Sequence, residues 1–233
     1  MTDPVVQGLV WYVAFLASVT VHEAAHAWAA LRGGDPTAYL GGQVSIDPMP
    51  HIRREPFGMV VLPILSLVLF GWPFGFASTP YDPAWAAAHP RRAAWMSLAG
   101  PLANLALVLA AALAIRLGVA AGGFFVPPAL GLTEVVLPAG PGLWAGAALM
   151  LSVFFSLNLI LVVLNLIPVP PLDGAGALGL VLPGDLTRRY QALASQPLFS
   201  LLGLLVAWNL FGRLFRPVFH TAVGLLHPEL AAG

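Results

Sequence analysis

The chain has 233 residues, of which 59% are hydrophobic and only 9% charged, with a mean hydropathy of +0.86. Ordinary soluble domains carry roughly 25% charged residues, so too few charges are present to cover a water-facing surface, and a membrane protein is the class that remains. The ten basic and ten acidic residues cancel, every basic residue is Arg, no basic tract points to nucleic acid, and the lack of Cys excludes disulfides and thiolate metal sites.

The first apolar segment, residues 5–31, exceeds the ~20 residues that cross a bilayer. It does not read as a cleavable leader: it lacks a basic N-terminal region and carries Ser18, Thr20, His22, Glu23 and His26 before Gly33-Gly34 stops the helix. Residues 37–46 (TAYLGGQVSI) read as two short strands around Gly41-Gly42, a small membrane-associated β-hairpin. A polar, proline-broken loop runs from Asp47 to Arg54. Residues 57–76 are apolar but interrupted by Pro63, Gly71, Pro73 and Gly75, and are expected to dip into the bilayer and return. A loop over 77–92 leads to a spanning helix over 93–121. A Gly/Pro-rich connection, 122–141, joins it to another over 143–167. That helix runs into Pro168-Val169-Pro170-Pro171-Leu172-Asp173-Gly174. A short helix, a polar loop with Arg188-Arg189 and a last apolar segment over 197–215 follow, and the tail from Arg216 reads as an amphipathic helix. The expected fold is an all-α polytopic membrane protein forming one membrane-embedded domain over residues 1–233. It has about four full transmembrane helices, a re-entrant hairpin and the small β-hairpin.

Chemistry concentrates at His22-Glu23-Ala24-Ala25-His26, an HExxH pattern. On a helix, residues i and i+4 share a face, so both imidazoles reach one metal. Glu23 sits one position on, where its carboxylate meets water activated by the metal rather than the metal itself. HExxH also arises by chance on solvated helices. Here it lies near the end of an apolar segment, where each ionisable group costs on the order of 2.5–3.5 kcal/mol, and three on one turn call for a compensating metal. Zinc in a catalytic site takes three protein ligands and keeps one position open. Asp173 is the best third ligand, because it lies in a proline-rich break at membrane depth, where irregular backbone must be buried in protein or line a wet cavity. Its plainer role is to cap the short helix after it, and the two roles are compatible. His51 is close enough in sequence to approach the site, whereas His89, His220 and His227 read as interfacial or structural.

These motifs, with GDPTA at 34–38, DPMPHIRREPFG at 47–58, AGPLAN at 99–104 and NLIPVPPLDG at 165–174, resemble the site-2 protease family of intramembrane zinc metalloproteases. The motifs fall in the family's order, and the chain is similar to the compact bacterial branch without PDZ or CBS domains. The resemblance implies one zinc per chain held by His22, His26 and Asp173, with Glu23 as general base. It also implies that Asn104 and Asn165 line the site and serve catalysis by orienting substrate or steadying an oxyanion. Interhelical hydrogen bonding is the alternative for both. The implied activity is hydrolysis of peptide bonds in or near transmembrane segments of membrane proteins; a zinc scaffold or carrier is the rival, against which Glu23 speaks. Two departures stand out: GFASTPY at 75–81, where relatives carry a GWAKPVP-like stretch, and Gly-Ala-Gly after Asp173.

Geometry sets the topology. His22 and His26 lie near the C-terminal end of the first span, and Asp173 lies just past the end of the span over 143–167. A shared zinc requires these spans to run in the same direction, so residues 57–76 must not cross. Arg32, Arg53, Arg54, Arg91, Arg92, Arg188 and Arg189 then share the zinc side, and Arg116, Arg213 and Arg216 do not. By the positive-inside rule the protein is expected in the cell membrane with its site towards the cytoplasm.

Overall fold

The computed structural model describes residues 3–194 and 196–228. Helix α1 (Pro4–Gly33) begins with Pro4 at its first position, where no N–H is needed, and the Asp3 carboxylate accepts from Val5 N at 2.8 Å. It ends at Gly34, whose φ of 100° is open to glycine and closed to most side chains.

Residues 37–46 depart from the expected hairpin. Thr37–Leu40 is a single helical turn, α2, followed by turns. The Asp35 carboxylate accepts from Thr37 N at 2.9 Å and fixes the turn's start, while Gly41 and Gly42 close it by returning their N–H groups to Thr37 and Tyr39. A Gly pair suits a helix end as well as a hairpin, and here it ends a helix.

Helix α3 (Pro48–Arg54) precedes an apolar helical stretch, Phe57–Phe70, made of a π-helical turn, Phe57–Val61, and α4 (Leu62–Phe70). Fourteen residues rise only ~21 Å, short of the ~30 Å hydrocarbon core. Gly71, at φ 78°, turns the chain, and residues 73–82 come back without regular secondary structure. Phe74 N donates to Ser66 Oγ at 2.7 Å and Phe76 N to Gly58 O at 3.1 Å. The approach is so close that a Cβ at Gly58 would overlap the Phe76 carbonyl. The segment therefore returns to where it started, as the interrupting Pro and Gly residues lead one to expect.

After α5 (Pro83–Ala88), α6 (Pro90–Ala120) and α7 (Leu143–Asn165) are long and apolar enough to span a membrane. The two-stranded antiparallel sheet of the molecule lies between them, β1 (Phe124–Phe125) with β2 (Leu137–Pro138). Helix α8 (Asp173–Ala177) and α9 (Gly184–Ala194) follow; Arg188 and Arg189 thus sit on a helix, not in a loop, with Asp185 in its first turn paired to Arg188. Helix α10 (Pro197–Leu226) absorbs the tail into one helix through Pro217. A helix break in hydrocarbon would leave more backbone groups unpaired than one proline does.

Helices α1, α6 and α7 pack on one another with their polar residues inward. On α6, Leu109, Leu113 and Leu117 are 61–62% exposed, whereas Asn104 on the opposite face is fully buried. That inversion suits a lipid surround. Helix α10 runs back along α7: Gly203 packs on the Pro170 carbonyl near one end, and at the other Arg116 Nη1 donates to Leu226 O at 3.0 Å. Four crossings with a non-crossing segment after α1 put the C-terminal ends of α1 and α7 on one face.

Candidate metal centre

His22 and His26 project from one face of α1 towards α6 and α8. Their Nε2 atoms are 3.0 Å apart, and Asp173 brings Oδ2 to 3.0 Å from His22 Nε2 and Oδ1 to 3.3 Å from His26 Nε2. Asp173 opens α8, but the helix is not capped by a side chain; the carboxylate is turned to the histidines instead.

The outer ring nitrogens fix the protons. His22 Nδ1 lies 2.5 Å from Asn104 Oδ1 and His26 Nδ1 lies 2.6 Å from Met96 O. Both partners can only accept, so both Nδ1 atoms carry hydrogen, and in a neutral imidazole Nε2 then holds a bare lone pair. Two lone pairs and a carboxylate converge with no donor among them, and Asp173 Oδ2 is buried without a hydrogen-bond partner. Such a group calls for a cation. The spacing fits zinc, whose tetrahedral ligands at ~2.0–2.1 Å lie roughly 3.3 Å from one another. Gly100 makes the room: a Cβ there would stand 2.5 Å from His22 Nε2 and overlap His26 Nε2 as well. Among the described residues, His22, His26 and Asp173 are the group of acidic and histidine side chains placed to hold a metal.

A cavity of about 610 Å³ opens on this cluster, lined by Glu23, His26, Thr79, Pro171, Asp173 and Tyr190 among others. Glu23 is buried beside the cluster, and Thr79 Oγ1 lies 2.7 Å from its Oε2. The returning segment delivers Thr79, and Asp35 anchors that segment by accepting from Asp82 N at 2.8 Å. Asn104 sits behind His22, away from the cavity, and its nitrogen donates to Asn158 at 2.9 Å. Asn165 closes α7, half-buried, and does not line the cavity. His51 is not part of the cluster: it is buried on α3, with Nε2 3.0 Å from Ser45 O.

Thr79, which contacts Glu23, Asn158, which contacts Asn104, and the gap at Gly100 are features of the site that sequence reading passes over. Thr79 lies in the stretch flagged as departing from relatives, and Asn158 is a polar residue inside a spanning helix, which by cost alone marks an inward-facing contact.

Comparison with known proteins points to the same chemistry. The model of peptidase family M50 matches residues 10–207. Rip2 of Mycobacterium tuberculosis (strain H37Rv), a candidate zinc metalloprotease by name, is 34% identical over 222 residues, 94% of this chain and 76% of that protein. YwhC of Bacillus subtilis (strain 168), named likewise, is 31% identical over 185 residues, 77% of this chain and 73% of its own length. No solved structure gives a significant match.

Proposed function

The chain belongs to peptidase family M50, the site-2 protease family of intramembrane zinc metalloproteases, and from that premise we propose that it is an endopeptidase hydrolysing bonds in or near transmembrane segments of membrane proteins. The observation that carries this reading is the position of Glu23, beside the His22–His26–Asp173 cluster and facing the same cavity. A carrier has no use for a base there.

His22, His26 and Asp173 would hold the zinc, which when bound would supply Lewis acidity to polarise a carbonyl and acidify water. Glu23 takes the proton that the attacking water loses and returns it to the leaving amine as the C–N bond breaks. Thr79 holds Oε2 and leaves Oε1 to meet water in the cavity. Asn104 serves by aiming His22 from behind, rather than by touching substrate. Asn165 stands at the end of α7 as a candidate for contacting a longer substrate. A substrate helix must unwind before its carbonyls are free. Within residues 73–82, Ala77, Ser78, Thr79 and Tyr81 line the cavity and then offer backbone groups for strand-like pairing.

The protein is a multi-pass membrane protein; we place it in the cell membrane with the site towards the cytoplasm, on the arginine distribution. The test is Glu23→Gln. It is expected to keep its zinc and lose about 100-fold or more of its proteolysis of a transmembrane reporter. Activity near wild type in a zinc-loaded Glu23→Gln sample contradicts the assignment.

A further inference from the structure

Asn158, one layer further from the zinc than Asn104, has no assigned part in the chemistry. It is fully buried on α7 and bonded on three sides. One amide group lies 2.8 Å from Phe154 O and 2.9 Å from Ser18 Oγ, and the other lies 2.9 Å from Asn104.

These contacts fix a direction of hydrogen bonding that runs to the metal centre. Phe154 O is a backbone carbonyl and only accepts, so the Asn158 atom facing it must be its nitrogen. Asn158 Oδ1 therefore faces Asn104, and Asn104 must answer with its nitrogen. The Asn104 oxygen is then the atom 2.5 Å from His22 Nδ1, and Nδ1 must carry the hydrogen. Turned over, Asn104 would present N–H groups to His22 Nδ1. The favoured tautomer would then place the hydrogen on Nε2, the atom that faces Asp173 and the metal.

We propose that Asn158 is a positioning residue that, through Asn104, holds His22 in the one tautomer able to bind zinc. This rests on the reading of His22 as a ligand. Two backbone carbonyls are the fixed references, Phe154 O, which accepts from Asn158, and Ser18 O, which accepts from the Asn104 nitrogen at the longer distance of 3.4 Å, since a carbonyl within a helix cannot exchange roles as a side-chain amide can. Outer partners of metal-bound histidines act in this way generally, and losing them costs roughly 10–100-fold in metal affinity.

The bland alternative is that Asn158 merely ties α7 to α1 through Ser18, as polar residues in membrane helices commonly do. The two roles separate by mutation. Ser18→Ala removes the tie and leaves the order of amides intact. Asn158→Leu removes both.

The experiment measures zinc affinity of the full-length protein in detergent, by competition with a chelator, with helix content as the folding check. His22→Ala and Asp173→Ala are expected to lose zinc. Asn158→Leu is expected to weaken zinc binding roughly 10–100-fold, and Ser18→Ala by less than about 3-fold. In an Asn104→Ala background, Asn158→Leu is expected to add nothing, because the residue it acts through is gone. Asn158→Ala, which leaves room for water, is the second variant should Asn158→Leu not fold. Unchanged affinity in the folded Asn158 variants, equal losses in Ser18→Ala and Asn158→Leu, or a full further loss in the double variant each overturns the proposal. Retention of zinc by His22→Ala overturns the ligand reading and the proposal with it. Loss there, with retention in Asn158→Leu, overturns the proposal alone.

Discussion

At the metal centre a single missing methyl group matters. Gly100 faces both Nε2 atoms in the middle of α6, where Gly is the poorer helix former by about 0.5–1 kcal/mol relative to Ala. Gly100→Ala is nonetheless expected to abolish zinc binding, because its Cβ takes the metal's place, and to lower stability, because overlap with two buried imidazoles costs about 1–3 kcal/mol and outweighs the better helix former. Zinc analysis beside thermal unfolding in detergent checks this; a zinc-replete Gly100→Ala protein would mean that α6 lies further from α1 than described. The same scale shows what sequence reveals about a site. HExxH is legible because ligand spacing and helical period coincide, and Asp173 because a carboxylate in a proline-rich break within hydrocarbon demands a reason. Thr79 and Asn158 are not, since a hydroxyl in a loop or an amide in a helix looks the same whether it meets Glu23, Asn104 or nothing. Asn165 shares a face of α7 with the buried Asn158 but stands two turns further on, outside the cavity lining, and no motif encodes that offset.

Among the elements, the segment between α1 and α6 does most to shape the site. Its in-and-out path was legible from Pro63, Gly71, Pro73 and Gly75. Residues 37–46 show the limit: a Gly pair marks a turn, and only the bonds from Gly41 N to Thr37 O and from Gly42 N to Tyr39 O show that the turn ends a helix. Asp35 ties α1, α2 and the returning segment together, accepting from Thr37 N, Thr37 Oγ1 and Asp82 N. Burial acts to raise its pKa, but the hydrogen bonds from Thr37 and Asp82 outweigh it and hold the carboxyl below the usual carboxylate value. A carboxyl with a lowered folded pKa stabilises the fold above its unfolded pKa of ~3.9 and loses that contribution as pH falls through the folded value. Asp35→Asn is thus expected to cost about 1–3 kcal/mol at pH 7, with the gap to wild type narrowing below about pH 4. Unfolding of both proteins across this range measures it, and a gap that is constant with pH would show that the charge is not what holds the segment.

For the molecule as a whole, the number of crossings determines whether the site exists. Helices α1 and α7 deliver their ligands to one face because residues 57–76 return. Single cysteines are easily read in this naturally Cys-free chain. Arg53→Cys, Ala87→Cys and Arg188→Cys should label from one side of the membrane and Gly131→Cys from the other. Labelling of positions 53 and 87 from opposite sides would contradict the fold described. Span number and direction were legible in advance because hydropathy and the ligand positions constrain each other. The course of α10 through Pro217 was not, since proline reads as a helix end unless the cost of unpaired backbone in lipid is counted. The most direct test of the central claim is to reconstitute zinc-loaded wild type and Glu23→Gln separately with a membrane-protein fraction and map new chain termini by mass spectrometry. Wild type is expected to create termini within or beside transmembrane segments that Glu23→Gln does not; identical termini from both proteins would contradict the claim that this zinc site cuts peptide bonds in the membrane.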